Sequence, residues 1–499
     1  MNQVNLAEHL RANAQHHPHK AALIYEGRPI SYSELDRQTD RVATGLHKLG
    51  ITKGDRVCFV VGNRPAFAWI HFGILRAGAV SVPLSTRLTA HEIRPYLARV
   101  NPRAIVMDED AAPEVISAGP HRAPLFVNGK HPAARPLDDI LGDNPPSSVD
   151  IGPDDFAVIA YTSGTSENAK AAGLSHGNIA ASLDQMTKVP GANIEPNDSV
   201  YGVIPLYYLY ALNVVLGMTI RRGATVVLDD HFDPMNSLRT IVDRDVTVIA
   251  AIPPMYEAWL AIGDSERFDL SKVRLAVSGG SALSPLTLEG FRTKFGVEIW
   301  EGYGLTETAS VVTTTKMAKQ RPGSVGMPLP GQKVRIVDES GADVILGDPG
   351  EVWVRGPNVF RGYWGDEAAT VAAFSDDWFR TGDLAYQDED GYLWLVDRSE
   401  EVIEISGFKV YPHEVERVLV THDAVADAAV VAEPDPRQGR RVKGIVVLEP
   451  GQTAGEDELI VHCTRHLARF KVPSVIEFVE ELPRLESGAV LRRALGPKN

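Results

Sequence analysis

Between residues 54 and 83 the chain alternates apolar strands with an amphipathic helix, and this rhythm limits its fold more than any other feature. The run 57–61 reads as a strand, 66–77 as a helix and 79–83 as a second strand. Strands joined by a helix pair in parallel, which implies a sheet covered by helices on both faces. Ser31-Tyr32-Ser33-Glu34 starts an earlier helix that runs to about 49, and further strands are expected at 156–161, 200–204, 225–228, 246–251 and 273–278. Residues 144–148, Asn-Pro-Pro-Ser-Ser, read as a linker or long loop. From about 333 the texture changes to short alternating strands at 334–337, 350–354 and 391–396, a small β subdomain. A boundary falls at Asp397-Arg398-Ser399-Glu400, followed by a fresh α+β pattern: helix 412–420, strands 425–431 and 442–448, helix 457–467. The expected fold is α/β, with a large multi-layer N-terminal domain over 1–396 made of α/β subdomains and the small β subdomain. A hinge over 397–400 and a small α+β C-terminal domain over 401–499 complete it. The 499 residues exceed what one hydrophobic core serves, which agrees with more than one domain.

Charge and cysteine usage then narrow the function classes. A net charge of -15 argues against a nucleic-acid or membrane-surface partner, since both need a broad basic field. A small polyanionic ligand on a local basic patch stays open. Cys58 and Cys463 stand in neither paired nor metal-type spacing, which fits a reducing cytoplasm. The first ten residues carry no signal-peptide pattern, and no apolar run reaches the ~18 to 20 residues of a membrane span. The longest, 211–220, is closed by Arg221-Arg222 and reads as a core helix. A cytoplasmic enzyme is expected, and nothing in the chain speaks to its oligomeric state.

Three segments carry chemistry. In Tyr161-Thr162-Ser163-Gly164-Thr165-Ser166-Glu167-Asn168-Ala169-Lys170 an apolar strand runs into hydroxyls and a glycine, then a lysine. Small residues let backbone N–H groups approach an anion and hydroxyls add donors, although the spacing is not that of a Walker loop. Glu301-Gly302-Tyr303-Gly304-Leu305-Thr306-Glu307-Thr308 sets an aromatic face between glycines, then a hydroxyl and a carboxylate: groups that suit a base, a phosphate and Mg²⁺. Trp378-Phe379-Arg380-Thr381-Gly382-Asp383 places an aspartate after a tight glycine turn, where two acceptor oxygens suit two ribose hydroxyls. Each segment alone also reads as an ordinary turn.

Together, in this order and at these separations, they resemble the adenylate-forming superfamily of acyl- and aryl-CoA synthetases, peptide-synthetase adenylation domains and luciferases. The resemblance runs from about residue 6 to 495. It implies that Thr162, Ser163, Gly164, Thr165, Ser166, Glu167 and Lys170 lie in the phosphate loop. Gly280, Ser281, Ala282, Glu301, Gly302, Tyr303 and Gly304 would line the AMP site. Thr306 would meet the phosphate and Glu307 would hold Mg²⁺, a metal not essential to the thioesterification step. Asp383 would hold the ribose with Arg398 nearby, and Glu400 would be the hinge of a mobile C-terminal domain that rotates between two half-reactions. The first makes acyl-AMP; the second passes the acyl group to a thiol, with Gly407 lining the pantetheine tunnel. Coenzyme A is the expected thiol, with a carrier-protein thiol as the alternative and with Arg437, Arg440, Arg441, Lys443 and Phe470 on its side of the site; for the basic residues a solvated face is the other reading. Tyr207, Tyr208, Tyr210, Ser278 and Gly279 would form the acyl pocket, with Tyr208 where the family commonly has histidine. An aromatic cluster there suits a bulky apolar acid.

The departures from the family pattern are as informative. Near the C-terminus the family has Gly-Lys before an Arg-Arg stretch; here the frame Gly488-Ala489-Val490-Leu491-Arg492-Arg493 puts Ala489 in place of the lysine. That cation stabilises charge gathering during adenylation, and losing such a donor costs roughly 3 to 4 kcal/mol, about 10² to 10³ in rate. In the phosphate loop two family glycines are Glu167 and Ala171. Two unit charges ~5 Å apart at an effective dielectric of about 20 repel by ~3 kcal/mol, so Glu167 opposes a triphosphate. Both lesions fall on the ATP side, whereas the AMP-side and thiol-side residues are present. The expectation is an enzyme that receives a preformed acyl-AMP, made by a separate adenylating enzyme, and performs only thioesterification. A complete ATP-dependent acid–CoA ligase and a silent acyl-AMP-binding pseudoenzyme are the alternatives.

Overall fold

A computed structural model of the chain describes residues 5–143, 146–162, 170–263, 268–398, 401–405, 408–435, 439–467, 469–484, 488 and 490–495. The chain divides into two compact units, residues 1–333 with 354–379 and residues 334–353 with 380–499.

Among the described residues, the first unit holds two large sheets. One has eight strands, with Arg56–Val60 beside Val80–Pro83 near its middle, paired in parallel with Cys58 opposite Val82. The other has nine and runs through Ile299–Tyr303, Leu275–Ser278, Val248–Ala251, Ser199–Gly202 and Thr225–Leu228, all in parallel. The parallel pairing follows from the helices between successive strands. Ser31 caps the helix Tyr32–Lys48, its Oγ accepting from the Glu34 N–H at 3.2 Å. The helix Pro65–Arg76 packs on it and opens with a proline, whose missing N–H costs nothing in a first turn. Phe59, Phe67, Tyr32, Tyr201, Tyr256 and Trp259 are fully buried in one continuous core. Each large apolar side chain of that kind contributes ~1.5 to 3 kcal/mol by leaving water.

In the second unit, Val425–Asp435 and Gly439–Leu448 form a long antiparallel pair, and Val475–Phe478 joins the second of them in parallel. The helices Pro412–Leu419 and Glu456–His466 cover this sheet through Val415, Leu419, Leu459 and Cys463. The strand Leu393–Arg398 pairs with Trp378–Gln387, so Asp397 and Arg398 still belong to a ladder. The mixed α/β body and the small α+β unit agree with the fold class expected from the sequence.

Three local expectations need correction. Residues 211–220 are not one α-helix: Ala211–Gly217 is π-helical, and an α-helix follows at Met218–Arg222. An almost wholly apolar run carries no periodicity from which to tell the wider turn. Gly382-Asp383 does not follow a tight turn but lies inside the strand Trp378–Gln387. There Gly382 takes φ +74 and a bulge follows between Leu384 and Ala385; a lone strand glycine marks an irregularity as readily as a turn. The strands 425–431 and 442–448 extend to Val425–Asp435 and Gly439–Leu448.

Candidate active site

In the first unit the strand Ile299–Tyr303 ends at a narrow reversal. Gly304 is required there, because a Cβ would stand 1.8 Å from the Ser310 carbonyl oxygen. Thr306–Thr308 forms one 3₁₀ turn, closed by the Leu305 N–H donating to Thr308 Oγ1 at 3.0 Å. Thr306 is half-buried. Glu307 is buried, and its Oε1 accepts from the Tyr363 hydroxyl at 2.8 Å. Lys170 Nζ stands 4.9 Å from the centre of the Tyr363 ring. Burial and the Glu307 charge hold the Tyr363 hydroxyl well above the usual tyrosine range. One tyrosine thus joins the lysine at the end of the phosphate-loop segment to the expected Mg²⁺ carboxylate. Nothing in the sequence around Arg361-Gly362-Tyr363 marks that role.

Thr162 and Lys170 clasp the base of that loop: the Thr162 N–H donates to the Lys170 carbonyl at 3.0 Å, and the Lys170 N–H to Thr162 Oγ1 at 3.3 Å. Ser163, Gly164, Thr165, Ser166 and Glu167 lie outside the described residues. Ala171 is fully buried and pairs with Tyr161.

The Glu301 carboxyl is strongly perturbed. Only 6% of it is exposed, and burial raises its pKa to about 7 against the opposing hydrogen bond from the Leu283 N–H, which reaches Oε1 at 3.0 Å. That bond ties the strand to the turn carrying Gly280, Ser281 and Ala282, where Gly280 takes φ +90. Gly302 and Tyr303 pair with Thr314 and Thr313. Ser278, on the neighbouring strand, faces Glu301 in register and is buried, its Oγ without a protein partner. Gly279 turns toward Tyr210, whose Cζ would lie 3.4 Å from a Cβ there. The Tyr207 and Tyr208 rings stand 4.7 Å apart. Of the acyl-pocket candidates, Gly279 thus meets Tyr210 and Tyr207 meets Tyr208, while Ser278 stands opposite Glu301.

In the second unit Asp383 is 7% exposed and directly opposite Arg398 across the ladder. Among the expected coenzyme-A cations, Arg441 and Lys443 both pair with Glu433, and Lys443 also with Glu477 at 2.6 Å. Arg440 is exposed and Phe470 is half-buried. Arg437, Glu400, Gly407 and Ala489 lie outside the described residues.

Over residues 10–364 the sequence matches the family described as AMP-binding enzyme, and over 414–489 the AMP-binding enzyme C-terminal domain. The chain belongs to the AMP-binding enzyme family. Among AMP-binding enzymes it is 34% identical to a feruloyl-CoA synthase of Amycolatopsis over 477 residues, 95% of each chain. It is 30% identical to a long-chain-fatty-acid–CoA ligase of Bacillus subtilis, covering 97% of this chain and 93% of that one. The crystal structure of ATP-bound MatB from Rhodopseudomonas palustris superposes with a TM-score of 0.92 at 32% identity, over 99% of this chain and 98% of that one. Among the described residues of this family member, no helix is long and apolar enough to cross a membrane, and no cluster of three or more His, Cys, Asp or Glu side chains is arranged for a metal ion.

Proposed function

We propose that this AMP-binding enzyme is of the acyl- or aryl-CoA ligase type and performs only the second half-reaction, transferring the acyl group of a preformed acyl-AMP to coenzyme A. The carrying observation is the one-sided distribution of departures: Glu167, Ala171 and Ala489 all replace residues that serve the triphosphate, while Tyr303, Thr306, Glu307 and Asp383 are retained. The CoA ligases among its relatives support the thiol, and the tyrosines at 207, 208 and 210 support a bulky apolar or aryl acid.

In this reading Asp383 accepts the ribose hydroxyls, Thr306 donates to the AMP phosphate and Glu301 shapes the base-side turn. The thiol sulfur bonds to the acyl carbon, the acyl–phosphate bond breaks, AMP leaves with the electron pair and the thiol proton passes to solvent. Glu307 would supply one carboxylate to a Mg²⁺, which would offset charge on the bound phosphate. Residues 397–400 serve as the hinge of the C-terminal domain, and a separate enzyme supplies the adenylate. The complete ligase is the second reading, favoured by the likeness to a structure that holds ATP.

The test sets benzoate, ferulate and dodecanoate with ATP and coenzyme A beside their synthetic adenylates with coenzyme A. Thioester should form from at least one adenylate, with no acid-dependent ATP–pyrophosphate exchange. Exchange as fast as thioester formation from the free acid refutes the proposal and leaves the complete ligase.

A further inference from the structure

The turn that carries Thr306 and Glu307 ends in two consecutive non-glycine residues with left-handed backbone, Ala309 at φ +52 and Ser310 at φ +101. L-residues avoid this region because Cβ crowds the backbone, so the turn must be held from outside. Its holders are visible. The Ala309 carbonyl accepts twice, from Ser182 Oγ at 2.8 Å and from Asn213 Nδ2 at 3.1 Å. Ser182 and Asn213 are 0% and 2% exposed. The Thr308 carbonyl accepts from Asn358 Nδ2 at 2.7 Å, and the Ser310 hydroxyl donates to the Leu209 carbonyl at 3.0 Å.

Asn213 lies in the π-helical segment Ala211–Gly217, directly after the tyrosines of the acyl pocket. π-helical turns recur at functional sites. The segment 209–213 thus meets the left-handed turn at two points, the Leu209 carbonyl and the Asn213 amide.

We propose that Asn213, together with Ser182, is a positioning residue. Their hydrogen bonds to the Ala309 carbonyl hold the left-handed turn that presents Thr306 and Glu307 to the AMP phosphate, and fasten it to the tyrosine-bearing wall of the acyl pocket. Neither residue touches the nucleotide; both act through residues 306–310. The inference rests on the reading of that turn as the AMP-phosphate side of the site, but not on which half-reaction the enzyme performs.

The experiment is a double-mutant cycle read by calorimetric titration of AMP into the full chain, which a failed thioester assay does not affect. Asn213→Leu keeps the branched frame of four side-chain heavy atoms and removes the amide donor. It should raise the AMP dissociation constant about tenfold, as expected for a lost buried hydrogen bond. Ala309→Gly lets the turn adopt positive φ without help, so in that background the loss on Asn213→Leu should shrink to about threefold or less. If Asn213→Leu does not fold, Ser182→Ala carries the same cycle on the other donor. An equal loss in both backgrounds would reduce Asn213 to general packing, and unchanged affinity in both would remove it from the site; either overturns the proposal.

Discussion

Glu301 shows how one burial event sets a residue's chemistry. Its carboxyl has left water for the sheet interior with one backbone donor, and its pKa stands at about 7 rather than the usual 4.5. In the unfolded chain it ionises near 4.5, so between the two values the folded state holds a proton that the unfolded state has lost. Its contribution to stability is therefore greatest at acid pH and falls as the pH rises through that window, by on the order of 3 kcal/mol in total. Glu301→Gln keeps the acceptor for the Leu283 N–H and removes the titration. Thermal melts from pH 4.5 to 7.5 should show the variant gaining on the parent as the pH rises; parallel curves would mean that Glu301 is already hydrated.

At the scale of elements, the second unit is fastened by an ion cluster that joins distant segments. Glu416, on the helix Pro412–Leu419, is 6% exposed and accepts from the Val430 N–H at 2.7 Å and from Arg492 Nη2 at 2.8 Å. Arg492 also pairs with Glu401. Burial pushes Glu416 upward, but His413 and Arg492 outweigh it and hold the carboxyl below its usual range. Such a group stabilises the fold above the normal glutamate range and loses that contribution as the pH falls through its lowered value. Arg492→Leu leaves the buried carboxylate with only His413 and the Val430 N–H as partners, a change that costs up to about 3 to 5 kcal/mol. Adding Glu416→Gln should recover part of that, since the amide oxygen still serves Val430. Hydrogen exchange at the Val430 amide is the readout: fast in the single variant, slower in the double. Unchanged protection in the single variant would show the cluster to be solvated.

At the scale of the whole molecule, the proposed reading has the chain keep its AMP side and lack groups that serve formation of the acyl-AMP anhydride. If the proposed division of labour holds, Ala489→Lys should give measurable acid-dependent ATP–pyrophosphate exchange where the parent has little. Adding Glu167→Gly and Ala171→Gly should raise it further by removing a fixed negative charge and freeing the loop. The gains need not add, because all three positions act on one bound triphosphate. No exchange in the triple variant, with thioester formation from acyl-AMP retained, would show that these positions are not what separates the chain from a complete ligase.

Much of this was legible before any coordinates. The βαβ rhythm determined the parallel sheets because helix and strand periods depend on near neighbours in the chain, and both survive in the run 57–83. The motifs at 162–170, 301–308 and 378–383 determined the family because their residue types and order are properties of the chain alone. The sequence also carries Glu167, Ala171 and Ala489, on which the proposed half-reaction rests. Tertiary structure alone decided which side chains meet. Tyr363 reaches Glu307 across 56 residues, and Asn213 reaches Ala309 across 96, with no local pattern to mark either. It decided that Gly382 sits in a strand, because a partner strand was there to pair with it. It decided, too, that Arg441 and Lys443 are already paired, although in sequence they read as open to a phosphate. Such contacts follow from how finished elements pack, and a buried donor takes whichever acceptor that packing brings within reach.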